Sequence, residues 1–164
     1  MKARIMQKPE NPARQAFSQE ELQTLKQKLP DNLIGNSILT IIGAGLRLGE
    51  LLALEQTQIA DDGSWIRVAA TVTDSVTNPV LTVPKTMAAA RKINVLPEYR
   101  DNVKRIKELG GTKYIWETDQ RDNQLYTHRE YRQEYVRAMH SVPEVPYRSA
   151  TVCRHTYKEL CTTR

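Results

Sequence analysis

Apolar and polar positions in the first quarter of the chain repeat with the period of an α-helix. Ser18 and Glu21 stand three residues apart in the pattern of a capping box, which predicts a helix running to about Leu29. After Pro30, apolar residues at helical spacing over residues 33–42 predict a second helix that is buried. A pair of glycines ends this helix, and a short leucine-rich helix is predicted to follow at once.

The middle of the chain has the residue types of β-strands. Residues 65–72 are rich in β-branched and apolar side chains, and they follow a turn signal at residues 61–64. Residues 79–83 and 92–95 have the same character and predict two further short strands. Three strands in succession predict a small antiparallel meander that lies beside the helices.

The rest of the chain returns to helical patterns. Helices are predicted over residues 98–109, 127–140 and 149–162. Residues 1–16 are polar, contain two prolines and are predicted to form a flexible linker or tail. Strands and helices do not alternate, which argues against a parallel doubly wound sheet. The predicted fold class is α+β and mainly α: a helical domain with a small three-stranded antiparallel sheet.

The composition is that of one globular domain with an excess of positive charge. The 164 residues include 24 Lys and Arg against 19 Asp and Glu, for a formal charge of +5 and a pI near 9.3. This balance agrees with binding to a polyanion such as a nucleic acid. Because the sequence has no apolar run of membrane-spanning length and no visible secretory signal, we expect a cytoplasmic protein.

The cysteines give no sign of a disulfide or a metal site. Cys153 and Cys161 stand eight residues apart on one predicted helix. That spacing corresponds to about 12 Å along the helix axis, which excludes a disulfide between them. No cysteine or histidine pair has the spacing of a zinc site, so we expect no bound metal and a reducing compartment.

The residues of greatest chemical interest are three cations in apolar or strand-end settings. Arg47 lies in the leucine-rich segment 45–54, and Arg154 lies among apolar residues in the last predicted helix. Lys85 follows Pro84 at the end of a predicted strand. Guanidinium groups bind oxyanions through paired hydrogen bonds, and a lysine adds a point charge. Together these residues predict a clamp for one phosphate group.

Glu50 is the predicted support of this clamp. It stands three residues after Arg47, so that the two side chains share one face of a helix and Glu50 can hold the arginine in place. The alternative is an ordinary surface ion pair, which contributes about 0.2–0.5 kcal/mol. The apolar context and the two glycines before Arg47 favour the clamp.

A second interpretation of the same region is a dinucleotide-binding loop. Residues 38–49 could form a buried strand that enters a glycine-rich turn, with spacing GxGxxxG close to that of the standard fingerprint. The fingerprint requires an acidic residue at the end of the next strand. Asp61 and Asp62 instead precede that strand. The two interpretations differ in whether residues 36–42 are strand or helix.

Taken together and in this order, the three cationic segments resemble the catalytic domain of the tyrosine recombinase (phage integrase) family. Residues 45–54 resemble the first box of that family almost residue for residue. Residues 84–86 with 91–95 resemble its β-hairpin lysine segment, and residues 152–157 resemble its second arginine box. The resemblance covers residues 17–164 and implies the family's catalytic-domain fold.

The resemblance implies a role for each residue of the clamp. Arg47 and Arg154 would bind the non-bridging oxygens of the scissile phosphate, with Glu50 in the supporting acidic position. Lys85 would donate a proton to the leaving 5′ oxygen. A tyrosine would attack the phosphate and form a 3′-phosphotyrosyl link, without metal or cofactor. Thr151 occupies the position where the family usually has histidine.

The resemblance also implies double-stranded DNA as the partner and a DNA-bound tetramer as the active assembly. Four basic residues would contact the DNA: Arg91, Lys92, Arg148 and Lys158. Because the family's nucleophilic tyrosine lies some tens of residues after the second arginine, we expect residues 17–164 to hold the catalytic domain without that segment. The expected function is site-specific DNA recombination by the longer protein, with phosphate binding but no cleavage by this chain. The alternative is a non-enzymatic DNA-binding remnant of a prophage or transposon integrase.

Overall fold

The computed structural model describes residues 11–75, 78–83 and 90–163. Among these residues, six α-helices surround one hydrophobic core, and four short strands lie at one side of it. The helices are α1 Gln19–Lys28, α2 Leu33–Ala44, α3 Leu48–Leu52, α4 Arg100–Leu109, α5 His128–His140 and α6 Ala150–Thr162. None of the described helices has the length and apolar content that a membrane span requires.

The helix boundaries follow from capping interactions that the sequence encodes locally. The side chain of Ser18 accepts a hydrogen bond from the Glu21 backbone, and the Glu21 carboxylate accepts one from the Ser18 backbone. Thr127 begins α5 in the same way. Gly45 ends α2 in the left-handed conformation, with φ of 70°, which glycine adopts without strain. The predicted capping box and the predicted end of the second helix are therefore confirmed.

Helix α2 forms the centre of the molecule and packs against α4, α5 and α6. Its residues 34–44 are buried, and its buried polar side chains are hydrogen-bonded. The hydroxyls of Ser37 and Tyr131 lie 3.0 Å apart, and the amide of Asn36 donates to Asp31. Residues 36–42 are helical, so the interpretation as a strand entering a dinucleotide loop is wrong.

The strands form two antiparallel pairs instead of the predicted three-stranded meander. They are β1 Trp65–Val68, β2 Thr71–Ser75, β3 Asn78–Thr82 and β4 Arg91–Asn94. The predicted strand over residues 65–72 breaks at residues 69–70, where its first half pairs with β4 and its second half begins to pair with β3. The fold class, α+β and mainly α with a small antiparallel sheet component, is confirmed.

Candidate anion-binding site

The turn after α2 determines where Arg47 lies. The left-handed Gly45 reverses the chain direction, Leu46 is buried beneath the turn, and Arg47 is exposed. Arg47 is the residue before the first turn of α3, in an extended conformation, and is not within the helix as predicted. The short helix therefore starts one residue after the arginine, and the guanidinium projects from the turn.

Glu50 is buried and binds Arg91, which lies 41 residues further along the chain. Its two carboxylate oxygens accept hydrogen bonds of 2.7 and 2.9 Å from the Arg91 guanidinium. One of them also accepts a bond of 2.9 Å from the Arg47 backbone amide. Burial alone would raise the pKa of Glu50, but these hydrogen bonds lower it below its ordinary value. Glu50 thus orients the Arg47 backbone and the Arg91 side chain, and not the Arg47 guanidinium as predicted.

Arg154 on α6 reaches the same turn from the other side. Its Nε donates a hydrogen bond of 3.2 Å to the carbonyl of Gly45, two residues before Arg47. Burial lowers the pKa of Arg154 from its ordinary value, and repulsion from Arg47 and Arg91 lowers it further, while Glu50 opposes the change. A guanidinium in this environment gains from the approach of an anion.

Arg47 and Arg154 line one pocket of about 370 Å³. Its walls are the turn before α3, one side of α5, and the beginning of α6 with the residues before it. Among the described residues that line this pocket there is no aspartate or glutamate. The described lining residues are Leu46, Arg47, Leu48, Arg132, Tyr135, Val136, Tyr147, Ser149, Ala150, Thr151 and Arg154. A pocket with cationic and hydroxyl side chains and no carboxylate is suited to an anion.

Thr151 lies in the first turn of α6, is exposed and lines the pocket. The residue in the family's usual histidine position therefore faces the same space as the two arginines. A threonine hydroxyl can donate a hydrogen bond to an anion, but unlike histidine it does not titrate near neutral pH.

Tyr157 packs beneath the site and supports the turn. A Cβ atom added at Gly45 would lie only 2.2 Å from the Cδ1 atom of its ring, so the close approach requires glycine at this position. Burial and the neighbouring Cys161 thiol raise the pKa of Tyr157 to about 12. Its hydroxyl is consequently protonated at neutral pH.

The remaining predicted site residues lie in different settings. Lys85 lies outside the described residues. Lys92 is exposed on β4, with its ammonium group 5.3 Å from the centre of the Trp65 ring. Lys158 is exposed on α6. Arg91 keeps about 43% of its side chain exposed while it binds Glu50.

Arg148, predicted to contact DNA, lies in the interior of the structure. Only 5% of its side chain is exposed, and its guanidinium donates hydrogen bonds of 2.7 and 3.1 Å to the two carboxylate oxygens of Glu21. Its guanidinium carbon also lies 4.7 Å from the centre of the Phe17 ring. These contacts give Arg148 a structural role between α1 and the segment before α6, because a buried and paired guanidinium cannot reach DNA.

Arg132 and Tyr147 also line the pocket, although neither was singled out in the sequence. Arg132 is exposed on α5, and Tyr147 precedes α6 with 40% of its surface exposed. The available signal was the pattern of α5, where Tyr131, Tyr135 and Met139 are buried and Arg132 falls at the edge of that buried face. That pattern identifies an exposed arginine, but only the packing of α5 beside α3 and α6 brings it to the site.

Comparison with known proteins reveals similarity in structure and not in sequence. Neither protein-family models nor curated proteins match the sequence. The chain is similar to the Tn1549 transposon integrase in complex with circular intermediate DNA, with a TM-score of 0.71 and 19% identity over 94% of this chain and 56% of that chain. It is also similar to a variant of that integrase in complex with transposon right end DNA, with a TM-score of 0.69 and 16% identity over 90% and 53% of the two chains.

The crystal structure of XerA recombinase is a third similar structure, with a TM-score of 0.65 and 15% identity over 94% of this chain and 52% of that chain. This chain spans about half the length of the solved structures that it matches. The integrase and XerA are both tyrosine recombinases. The described residues form six α-helices and two small antiparallel strand pairs, and this topology, with the structural similarity, gives the chain the fold of the tyrosine recombinase catalytic domain.

Proposed function

We propose that this chain is part of an enzyme of site-specific DNA recombination, and that its role is to hold the DNA phosphate at which a strand is cut and rejoined. One observation carries the proposal: Arg47 and Arg154 line a single pocket in which no described residue is acidic. The similar structures of an integrase bound to DNA support the same substrate class.

In this proposal the two arginines act as an oxyanion clamp. Each guanidinium presents a rigid fork of N–H donors that suits the non-bridging oxygens of a phosphodiester. When an incoming oxygen adds to the phosphorus, negative charge on those oxygens increases. A cationic pocket that is already positioned stabilises that charge more than it stabilises the ground state, and this difference lowers the barrier.

The surrounding residues support the clamp in different ways. Glu50 holds the Arg91 guanidinium and the Arg47 backbone amide through three hydrogen bonds, which fixes the turn that carries Arg47. Lys85 is retained as the proposed proton donor to the leaving 5′ oxygen, and a tyrosine as the proposed nucleophile. Thr151 would donate a hydrogen bond where the family usually has a histidine.

The proposed partner is double-stranded DNA in the cytoplasm, with a tetramer of the longer protein as the assembly that recombines it. Arg91, Lys92 and Lys158 are retained as proposed DNA contacts because each is exposed. The chain by itself is proposed to bind DNA as a monomer.

The proposal is tested by measuring the affinity of the chain for a fluorescent duplex of about 20 base pairs over a series of salt concentrations. We expect the affinity to fall steeply with salt, because each phosphate contact releases condensed counterions. Substituting Arg47→Ala or Arg154→Ala should weaken binding by about tenfold, since each removes a charge-assisted contact.

Lys92→Ala is the matched control for these variants. It also removes one exposed positive charge, but from β4, outside the pocket that the arginines line. It should weaken binding by less than either arginine variant. Equal effects of all three substitutions, or an affinity that does not change with salt, would contradict the proposal.

A further inference from the structure

We infer that the pocket holds a second phosphodiester of the same DNA strand, next to the one held by Arg47 and Arg154, and that Arg132 on α5 binds it. This inference rests on the proposed function, because it adds a binding position and a residue to the same site. Arg132 belongs to none of the three cationic segments that the sequence identified.

The size of the pocket is the first observation. Its volume of about 370 Å³ falls within the range of roughly 300–1,000 Å³ that accommodates a whole small-molecule ligand. One phosphate group occupies only a small part of such a space. The pocket therefore has room for a nucleotide and its neighbouring phosphate.

The position of Arg132 is the second observation. Arg132 and Val136 stand four residues apart on α5, so they share one face of the helix, and both line the pocket. Arg47 and Arg154 come from the turn before α3 and from α6. Arg132 thus adds a cation from a third element, on a wall that neither of the other arginines occupies.

The state of its side chain is the third observation. Arg132 is exposed and has no hydrogen bond or ion pair with any residue that the structure describes. In contrast, the Arg91 guanidinium is held by Glu50, and that of Arg148 by Glu21. An arginine in a pocket without carboxylates has its donors available for a ligand.

The aromatic residue of the pocket favours a nucleotide over an isolated anion. The ring of Tyr147 is held against His140, with 5.3 Å between ring centres, and against Tyr135 at 6.2 Å. It keeps 40% of its surface exposed. An exposed and braced ring is a surface against which the sugar of a bound nucleotide can pack.

The inference is tested with two small ligands in an NMR titration of the isotopically labelled chain. Thymidine 5′-monophosphate has one phosphate, and the 5′-phosphorylated thymidine dinucleotide has two. We expect the wild-type chain to bind the dinucleotide more tightly. Arg132→Ala should weaken dinucleotide binding by about tenfold and leave monophosphate binding unchanged, because it removes only the second contact.

Arg129→Ala is the matched control. Arg129 lies one turn before Arg132, is also exposed, and is not among the residues that line the pocket. It should leave both affinities unchanged. Both variants replace arginine with a strong helix former on an exposed surface, so their thermal midpoints should equal that of the wild type.

Three results would overturn the inference: equal wild-type affinity for the two ligands, equal effects of Arg132→Ala and Arg129→Ala, or no binding of either ligand. Arg47→Ala separates this inference from the proposed function, since it should weaken the binding of both ligands. If it does so and Arg132→Ala has no effect, only the second position is excluded. If Arg47→Ala has no effect on either ligand, the clamp itself is excluded.

Discussion

Glu50 determines the geometry of the site at the scale of single residues. It is buried, and its two oxygens receive three hydrogen bonds, two from Arg91 and one from the backbone of Arg47. A buried carboxylate is unfavourable unless it is paired, and here the pairing also joins α3 to β4. The acidic residue thus orders the cations around it without lying among the residues that line the pocket.

Replacing this carboxylate by an amide should destabilise the chain. Glu50→Gln can still accept the bond from Arg47, but it loses the charge that binds Arg91, so we expect the free energy of unfolding in urea to fall by about 1–2 kcal/mol. The control is Glu144→Gln, which affects an ion pair with Lys28 in which both side chains are about half exposed. That variant should show little change.

The effect of Glu50→Gln should depend on pH in a defined direction. Because the folded-state pKa of Glu50 is lowered, its carboxylate contributes its full stabilisation above about pH 4.3, where free glutamate is ionised. The contribution disappears as the pH falls through the lower folded-state pKa. The wild type and the variant should therefore converge in stability in acid. A difference that persists or grows there would exclude this assignment.

At the scale of elements, α1 is attached to the segment that leads into α6. Glu21 serves both the capping box of α1 and the ion pair with Arg148. The Phe17 backbone amide donates a buried hydrogen bond of 3.1 Å to the hydroxyl of Thr156 on α6. The first helix therefore braces the helix that carries Arg154, although it contributes no residue to the pocket.

Loss of the buried guanidinium should weaken this attachment. Arg148→Ala leaves the Glu21 carboxylate without its partner, so we expect the free energy of unfolding to fall by about 2–4 kcal/mol. Lys28→Ala, at the exposed pair with Glu144, is the control and should have little effect. The folded Arg148→Ala chain should bind DNA as the wild type does. Unchanged stability together with weaker DNA binding would restore Arg148 as a DNA contact.

At the scale of the whole molecule, packing holds three of the described tyrosines, Tyr131, Tyr135 and Tyr157, in structural positions. Tyr131 and Tyr135 are buried, and burial raises the pKa of each hydroxyl. The Tyr135 hydroxyl donates a hydrogen bond of 2.6 Å to the carbonyl of Arg148. Tyr157 lies under the turn at Gly45. Tyr147 is the described tyrosine that lines the pocket on an exposed surface, and its ring is held by aromatic contacts.

This arrangement predicts that the chain binds DNA without cutting it. Incubation with supercoiled plasmid should give neither relaxation nor a covalent protein–DNA product after denaturation in detergent, with an active plasmid-relaxing enzyme as the positive control. The reason is that Tyr131 and Tyr135 are buried with hydrogen-bonded hydroxyls and Tyr157 packs against Gly45, while the ring of Tyr147 is held by His140 and Tyr135. A covalent product that disappears in Tyr147→Phe would contradict this prediction and identify Tyr147 as a nucleophile.

Local patterns were sufficient to predict most helices and to single out two arginines that line the candidate pocket. The capping pair Ser18 and Glu21 and the helix end at Gly45 depend on neighbours within a few residues, so they can be read directly. Arg47 and Arg154 stood out because arginine is unusual in leucine-rich or apolar segments. Residues 65–72 were harder to interpret, because strand composition does not specify a partner, and the segment divides between two pairings.

The sequence by itself therefore determined the helical framework, the basic character and two of the cations, since helix caps, periodicity and charge are properties of short segments. Tertiary structure alone decided the partners: Glu50 with Arg91, Arg148 with Glu21, and Arg132 with the pocket. These pairings join residues that are distant along the chain. The type of a side chain does not specify which distant charged residue will lie next to it. Packing of the helices around α2 makes that choice, because it decides which surfaces are buried together.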